Sequence, residues 1–146
     1  MSPDHIHHTH LQDEAGTAAL GAALAQHAAL ACFEPQTIAT YEARRLEFKR
    51  RRDFIAPALE SLGFAVPVMP DGAFYVYADC GTVNHPAAGD SSALTKAMLH
   101  EAGVVLVPGM DFGTHAPKQY IRLSYATAYP KLEEAVERLG RLFGRH

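Results

Sequence analysis

A chain of 146 residues, 48% apolar and 20% charged, has the composition of an ordinary globular domain and enough length to bury a core without disulfides or a structural metal. Its formal charge of -3 and isoelectric point near 6.3 exclude the basic footprint of a nucleic-acid binder, and no apolar run reaches the ~18 residues that cross a bilayer as a helix. Cys32 and Cys80 are far apart and lack a CxxC spacing, which excludes a disulfide framework and a zinc knuckle and points to a reducing compartment, the cytoplasm.

In chain order, MSPDHIHHTH comes first, with His5, His7, His8 and His10. The segment contributes nothing to a core, and residues 1–20 read as a disordered or tag-like tail ahead of one domain over 21–146. The alternative is a metal site, since imidazoles bind zinc or nickel, but no cysteine, acid or helix fixes their geometry. No metal ligand is assigned.

From Ala15 to Phe33 the chain is rich in Ala and Leu, and a helix is expected from about Ala22. Glu34 and Pro35 interrupt it, and Thr37 offers an N-cap hydroxyl to a longer helix. Ile38, Tyr41, Phe48, Ile55, Leu59 and Leu62 recur at helical spacing and define a core-facing stripe, which Gly63 terminates. Arg44, Arg45, Lys49, Arg50, Arg51 and Arg52, beside Glu42, Glu47 and Asp53, then form a solvated, salt-bridged face rather than a nucleic-acid site. Pro57, inside this helix, predicts a bend near Asp53.

Two strand patterns follow, Phe64 to Val68 and Ala73 to Asp79, separated by the turn signal MPDG. Asp90 or Ser91 caps a helix through Leu94, Met98 and Leu99, which Gly103 ends before the apolar strand Val104 to Val107. The loop PGMDFG leads to the strand YIRLSYA, and Pro130 opens an amphipathic helix through Leu132, Val136, Leu139 and Leu142. This order predicts an α+β fold, a small mixed or antiparallel sheet covered by helices with one long N-terminal helix.

No GxSxG elbow, Walker A sequence, HExxH pair or GxGxxG fingerprint is present. The residue that stands out is Arg122, in an apolar strand. A guanidinium does not shed its charge, and when removed from water it needs a planar anion to offset its desolvation. Its donors match a carboxylate in a two-bond fork. An internal ion pair with Asp79, Asp111 or Glu101, or an edge-strand arginine in solvent, is the structural alternative.

The ordered series GAFYVYAD, LHEAGVVLVPGMDFG, YIRLSYA and LEEAVERL resembles the C-terminal small domain of class I and II pyridoxal-phosphate aminotransferases, the aspartate and aromatic aminotransferase superfamily. QHAALACFEP and YEARRLEFKRRRDFIAPALESLGF are similar to that family's interdomain helix region, so the resemblance covers about Gln26 to His146. It implies that Arg122 binds the substrate α-carboxylate, that Phe74 and Tyr75 border the substrate pocket, with Phe74 the preferred liner of the two, and that the PGMDFG loop packs near the active-site mouth. It further implies pyridoxal 5'-phosphate as cofactor, amino acids and 2-oxo acids as ligands, and a homodimer or association with a large domain. The family's cofactor lysine lies upstream of the long helix, and none of Lys49, Lys96, Lys118 and Lys131 fits that place. No catalytic or cofactor-binding residue is therefore assigned, and the expectation is a portion of an aminotransferase, inactive alone. A non-catalytic binding module that kept the fold is the alternative.

Overall fold

The computed structural model describes residues 21–144; the histidine-rich segment and the proposed 1–20 tail lie outside them. The chain forms two compact units divided between Arg44 and Arg45, inside helix α2, Pro35–Ser61.

In the first unit residues 21–31 form helix α1, as expected from the Ala and Leu content. Leu24, Leu30 and Phe33 are exposed there. Helix α2 starts two residues before the expected Thr37 cap. The Ile38 N–H donates to the Glu34 carbonyl at 3.0 Å, which makes Glu34 the cap and Pro35 the first helical residue. A proline fits that place because its missing N–H would have no intrahelical acceptor. Ile38 and Tyr41 are exposed, so the expected core stripe is confined to the C-terminal half of the helix.

In the second unit α2 continues through Pro57 and ends as the glycine signal requires. The Gly63 N–H donates to the Glu60 carbonyl at 3.0 Å and the Phe64 N–H to the Leu59 carbonyl at 3.1 Å, with Gly63 at φ 98°. This pair of bonds satisfies orphan helix carbonyls and needs a left-handed residue. It also places Leu59 and Phe64, both buried, in one core cluster.

The sheet has three antiparallel strands in the order β1-β3-β2: β1, Tyr75–Asp79; β2, Val107–Pro108; and β3, Tyr120–Ser124. Helix α3, Ser91–Ala97, is capped by the Asp90 carboxylate, which accepts from the Ser92 and Ala93 N–H groups. A π turn, Met98–Ala102, extends it to Gly103. Helix α4, Tyr129–Leu142, carries Pro130 in its first turn.

Three expected strands are shorter than their apolar patterns, each for a local reason. Phe64 to Val68 makes only an isolated bridge, Ala65 to Asp79. The Phe64 N–H is spent on the helix cap, and Pro67 has no N–H to give a ladder. Val104 to Leu106 alternates buried and exposed like a strand, but the Val104 N–H closes the preceding helix on the Met98 carbonyl and pairing starts at Val107. Strand β1 begins at Tyr75 because Ala73 sits at φ 58°, a left-handed conformation that breaks extended backbone. Buried Tyr125 holds that corner: its hydroxyl donates to the Ala73 carbonyl at 3.1 Å and its N–H to the Phe74 carbonyl at 2.8 Å.

Alternation gives the sheet two unlike faces. Val76, Ala78, Ile121 and Leu123 are buried and pair directly, Val76 with Leu123 and Ala78 with Ile121. They join Ile55, Leu59, Leu94, Met98, Leu132, Leu139 and Phe143 in one core. The opposite face carries Tyr75, Tyr77, Tyr120 and Arg122, all half-buried.

Candidate carboxylate site

Arg122 lies in the middle of the central strand, paired with Tyr77 of β1 on one side and Val107 of β2 on the other. Both neighbours fix its backbone. Its guanidinium carbon sits 4.3 Å from the centroid of the Tyr75 ring and 3.8 Å from that of the Phe112 ring. The cation therefore lies over two aromatic rings, each an attractive contact for a delocalised charge.

Neither alternative for Arg122 as a structural arginine is present among the described residues. Its contacts there are the two rings, not a carboxylate. Asp79 is turned to other donors, the Gly81 N–H at 2.6 Å and the Gln119 side-chain amide at 2.8 Å. Among the described residues the guanidinium makes no hydrogen bond to a protein group, so its N–H donors can offer a planar anion a two-bond fork.

Of the two aromatics expected to line the pocket, the structure brings Tyr75 onto the guanidinium. Phe74 is turned toward the core, where its ring packs against Phe48 at 6.0 Å and against Tyr75 at 4.3 Å. Strand parity explains the difference. Tyr75 is two residues from Tyr77, the direct partner of Arg122, so it shares that residue's face and lies diagonal to it.

Phe112 is the contact that the sequence pattern does not single out. It reaches Arg122 because the PGMDFG loop is pinned at its first glycine. Gly109 is buried, and a Cβ there would meet the Tyr77 hydroxyl at 2.5 Å, the Tyr120 carbonyl at 2.6 Å and the Pro117 carbonyl at 2.7 Å. Two of these three are backbone and do not yield, so only glycine fits. A short 3-10 turn, Gly109–Asp111, then returns the chain, with the Phe112 N–H on the Gly109 carbonyl at 3.0 Å.

Tyr77 and Tyr120 support the turn from below, stacked at 4.8 Å with ring planes 4° apart. The Tyr77 hydroxyl donates to the Gly109 carbonyl at 3.5 Å. Burial, and then the neighbouring Tyr120, raises the Tyr77 phenol above its ordinary value.

The amines are elsewhere. Lys49 pairs with Asp53 and Lys131 with Glu134, each at 2.7 Å, while Lys96 and Lys118 are exposed on α3 and on the turn Pro117–Gln119. None projects from β1 or β3. A separate cavity of about 320 Å³ is lined by Val104, Leu106, Leu123, Leu132 and Lys131. Glu134 there engages both Lys131 and Arg138, so this cavity offers a carboxylate no unengaged cation. Among the described residues no group of three or more His, Cys, Asp or Glu has metal-binding geometry.

Similarity to known proteins gives the chain its family. The family model described as aminotransferase class I and II matches residues 9–139. The chain is 40% identical over 104 residues to aromatic-amino-acid aminotransferase 2 of Thermococcus litoralis, covering 69% of this chain and 24% of that protein. It is 41% identical over 104 residues to the aspartate/prephenate aminotransferase of Thermus thermophilus, covering 71% and 25%. It thus spans about a quarter of the length of these relatives. Among solved structures, the aromatic aminotransferase from Pyrococcus horikoshii superposes with a TM-score of 0.69 at 38% identity, over 80% of this chain and 30% of that one. An aminotransferase from Mycobacterium tuberculosis gives 0.71 at 31% identity, over 80% and 29%. With these matches the α+β fold, its three-stranded antiparallel sheet and the ordered motifs have one common source: the chain belongs to the aminotransferase class I and II family.

Proposed function

We propose that this chain is the C-terminal portion of a pyridoxal-phosphate-dependent aminotransferase and that its part in amino-group transfer is to bind and orient the α-carboxylate of an amino acid or 2-oxo acid through Arg122. The observation that carries the reading is the guanidinium itself, held on a half-buried face against two rings and, among the described residues, without a carboxylate partner. Binding one carboxylate in a fork fixes the plane of that group and so the direction of the bonds at the adjacent carbon. Positioning of this kind is a large part of what an enzyme contributes to a reaction between bound groups.

The donor set does not fit pyridoxal phosphate within residues 1–146. That cofactor requires a lysine amine facing the substrate, and the four lysines stand on other elements, two of them tied up in ion pairs. In this reading the cofactor belongs to the part of the enzyme that bears the lysine. Mixing the chain with pyridoxal phosphate and borohydride is expected to leave no defined lysine adduct and to give no transamination. An aldimine absorption fixed by borohydride at one of these four lysines would overturn that assignment.

The carboxylate role is tested by titrating pyruvate into ¹⁵N-labelled chain. The Arg122 Nε–H and the backbone amides of Ile121 and Leu123 beside it are expected to shift saturably, and Arg122→Gln is expected to abolish the saturable shift of those two backbone amides while the rest of the spectrum keeps its dispersion. An equal response in the variant would sink the role.

A further inference from the structure

Resting on that reading, we infer that Phe112 is a positioning residue for Arg122: with Tyr75 it holds the guanidinium against two aromatic rings, so the arginine meets its carboxylate already aimed.

An arginine side chain alone on a sheet face has several rotatable bonds and loses their freedom when it binds. A salt bridge would fix it, but the partner carboxylate would occupy the same in-plane donors that a ligand needs. Two aromatic faces fix it without that conflict. The rings at 3.8 Å and 4.3 Å attract the cation and leave its charge whole.

The two rings come from different places, which is why both are needed. Tyr75 is held in the sheet, opposite Ser124. Phe112 comes from the loop and is itself partly exposed, at 38%, so its ring contributes little to the core. It is not among the side chains packed on the core cluster, whereas Phe74 is. Its location is set by Gly109, wedged against the Tyr77 hydroxyl and two carbonyls. A partly exposed phenylalanine held by a glycine-specific turn and seated on a cation has a clear local task, and that task is orientation of Arg122.

The test uses the 146-residue chain and pyruvate as probe, comparing wild type, Phe112→Leu and Phe112→Trp. Ring currents from both stacked rings should move the Arg122 side-chain protons upfield in the wild type. Phe112→Leu is expected to lose a large part of that shift, to weaken pyruvate binding about three- to tenfold, and to leave the thermal midpoint nearly unchanged. Phe112→Trp should restore both the shift and the affinity. The inference is overturned if the shift survives in Phe112→Leu, or if the shift is lost and the affinity is not. If the wild type shows the upfield shift but no saturable pyruvate response, the carboxylate reading itself has failed and the inference falls with it.

Discussion

Arg122→Lys, in an enzyme assembled from this chain and a lysine-bearing large domain, is expected to raise KM and to lower kcat/KM about 10- to 100-fold for amino-acid substrates. The substitution keeps the positive charge and removes the planar fork. What is lost is one of two parallel charge-assisted hydrogen bonds, each worth about 1.5–3 kcal/mol, together with the guanidinium's contacts to the Tyr75 and Phe112 rings, which a shorter reach to a compact ammonium does not reproduce. Long-range attraction for the substrate anion survives, so the deficit is one of orientation as well as affinity. Because every amino acid presents the same α-carboxylate, the loss should be similar for monocarboxylate and dicarboxylate substrates. Normal turnover of both classes by the variant would show that Arg122 does not hold this group.

The strand that carries Arg122 was legible in the sequence, and the features that were not have separate causes. Arg122 stands in an apolar alternating run, so its strand and its mismatch with that strand were both readable. Gly63 and Asp90 act locally, within a few residues of the groups they satisfy, and the structure keeps both. The strand ends were not readable from apolar pattern alone, because the same N–H groups were claimed twice: by the helix caps at Phe64 and Val104, and by the ladders those residues were expected to join. Phe74 and Tyr75 were both expected at the edge of the substrate pocket, and which of them meets Arg122 was not readable. Which of two adjacent aromatics faces the arginine is decided by register, and the Tyr77–Arg122 pairing is a long-range fact. Once that pairing is known, parity selects Tyr75. Phe112 depends on a loop conformation imposed by Gly109, whose neighbours Tyr77, Pro117 and Tyr120 come from three other segments. The glycine was visible, but its packing was not.

The same division between locally and globally determined features sets where the second unit is most vulnerable. Phe143→Ala is expected to destabilise it by about 3–5 kcal/mol, read as a fall in the urea midpoint at nearly constant slope. Phe143 is fully buried at the end of α4, edge-on to Phe64 with centroids 5.6 Å apart and near His85 at 6.2 Å. Its backbone is equally committed: its N–H bonds to the Leu139 carbonyl at 2.9 Å, and its carbonyl accepts from the Asn84 side chain at 3.0 Å. Truncation would open a cavity between the end of α4 and the Phe64 corner that follows α2, and neither side can close it without breaking those bonds. Leu30→Gln supplies the contrast. Leu30 is 66% exposed, and its replacement should change stability by no more than about 0.5 kcal/mol. Equal losses from the two substitutions would mean that the packing centred on Phe143 does not hold the unit together. A large loss confined to Phe143→Ala would tie the stability of the unit that carries Arg122 to a core on the far side of its sheet.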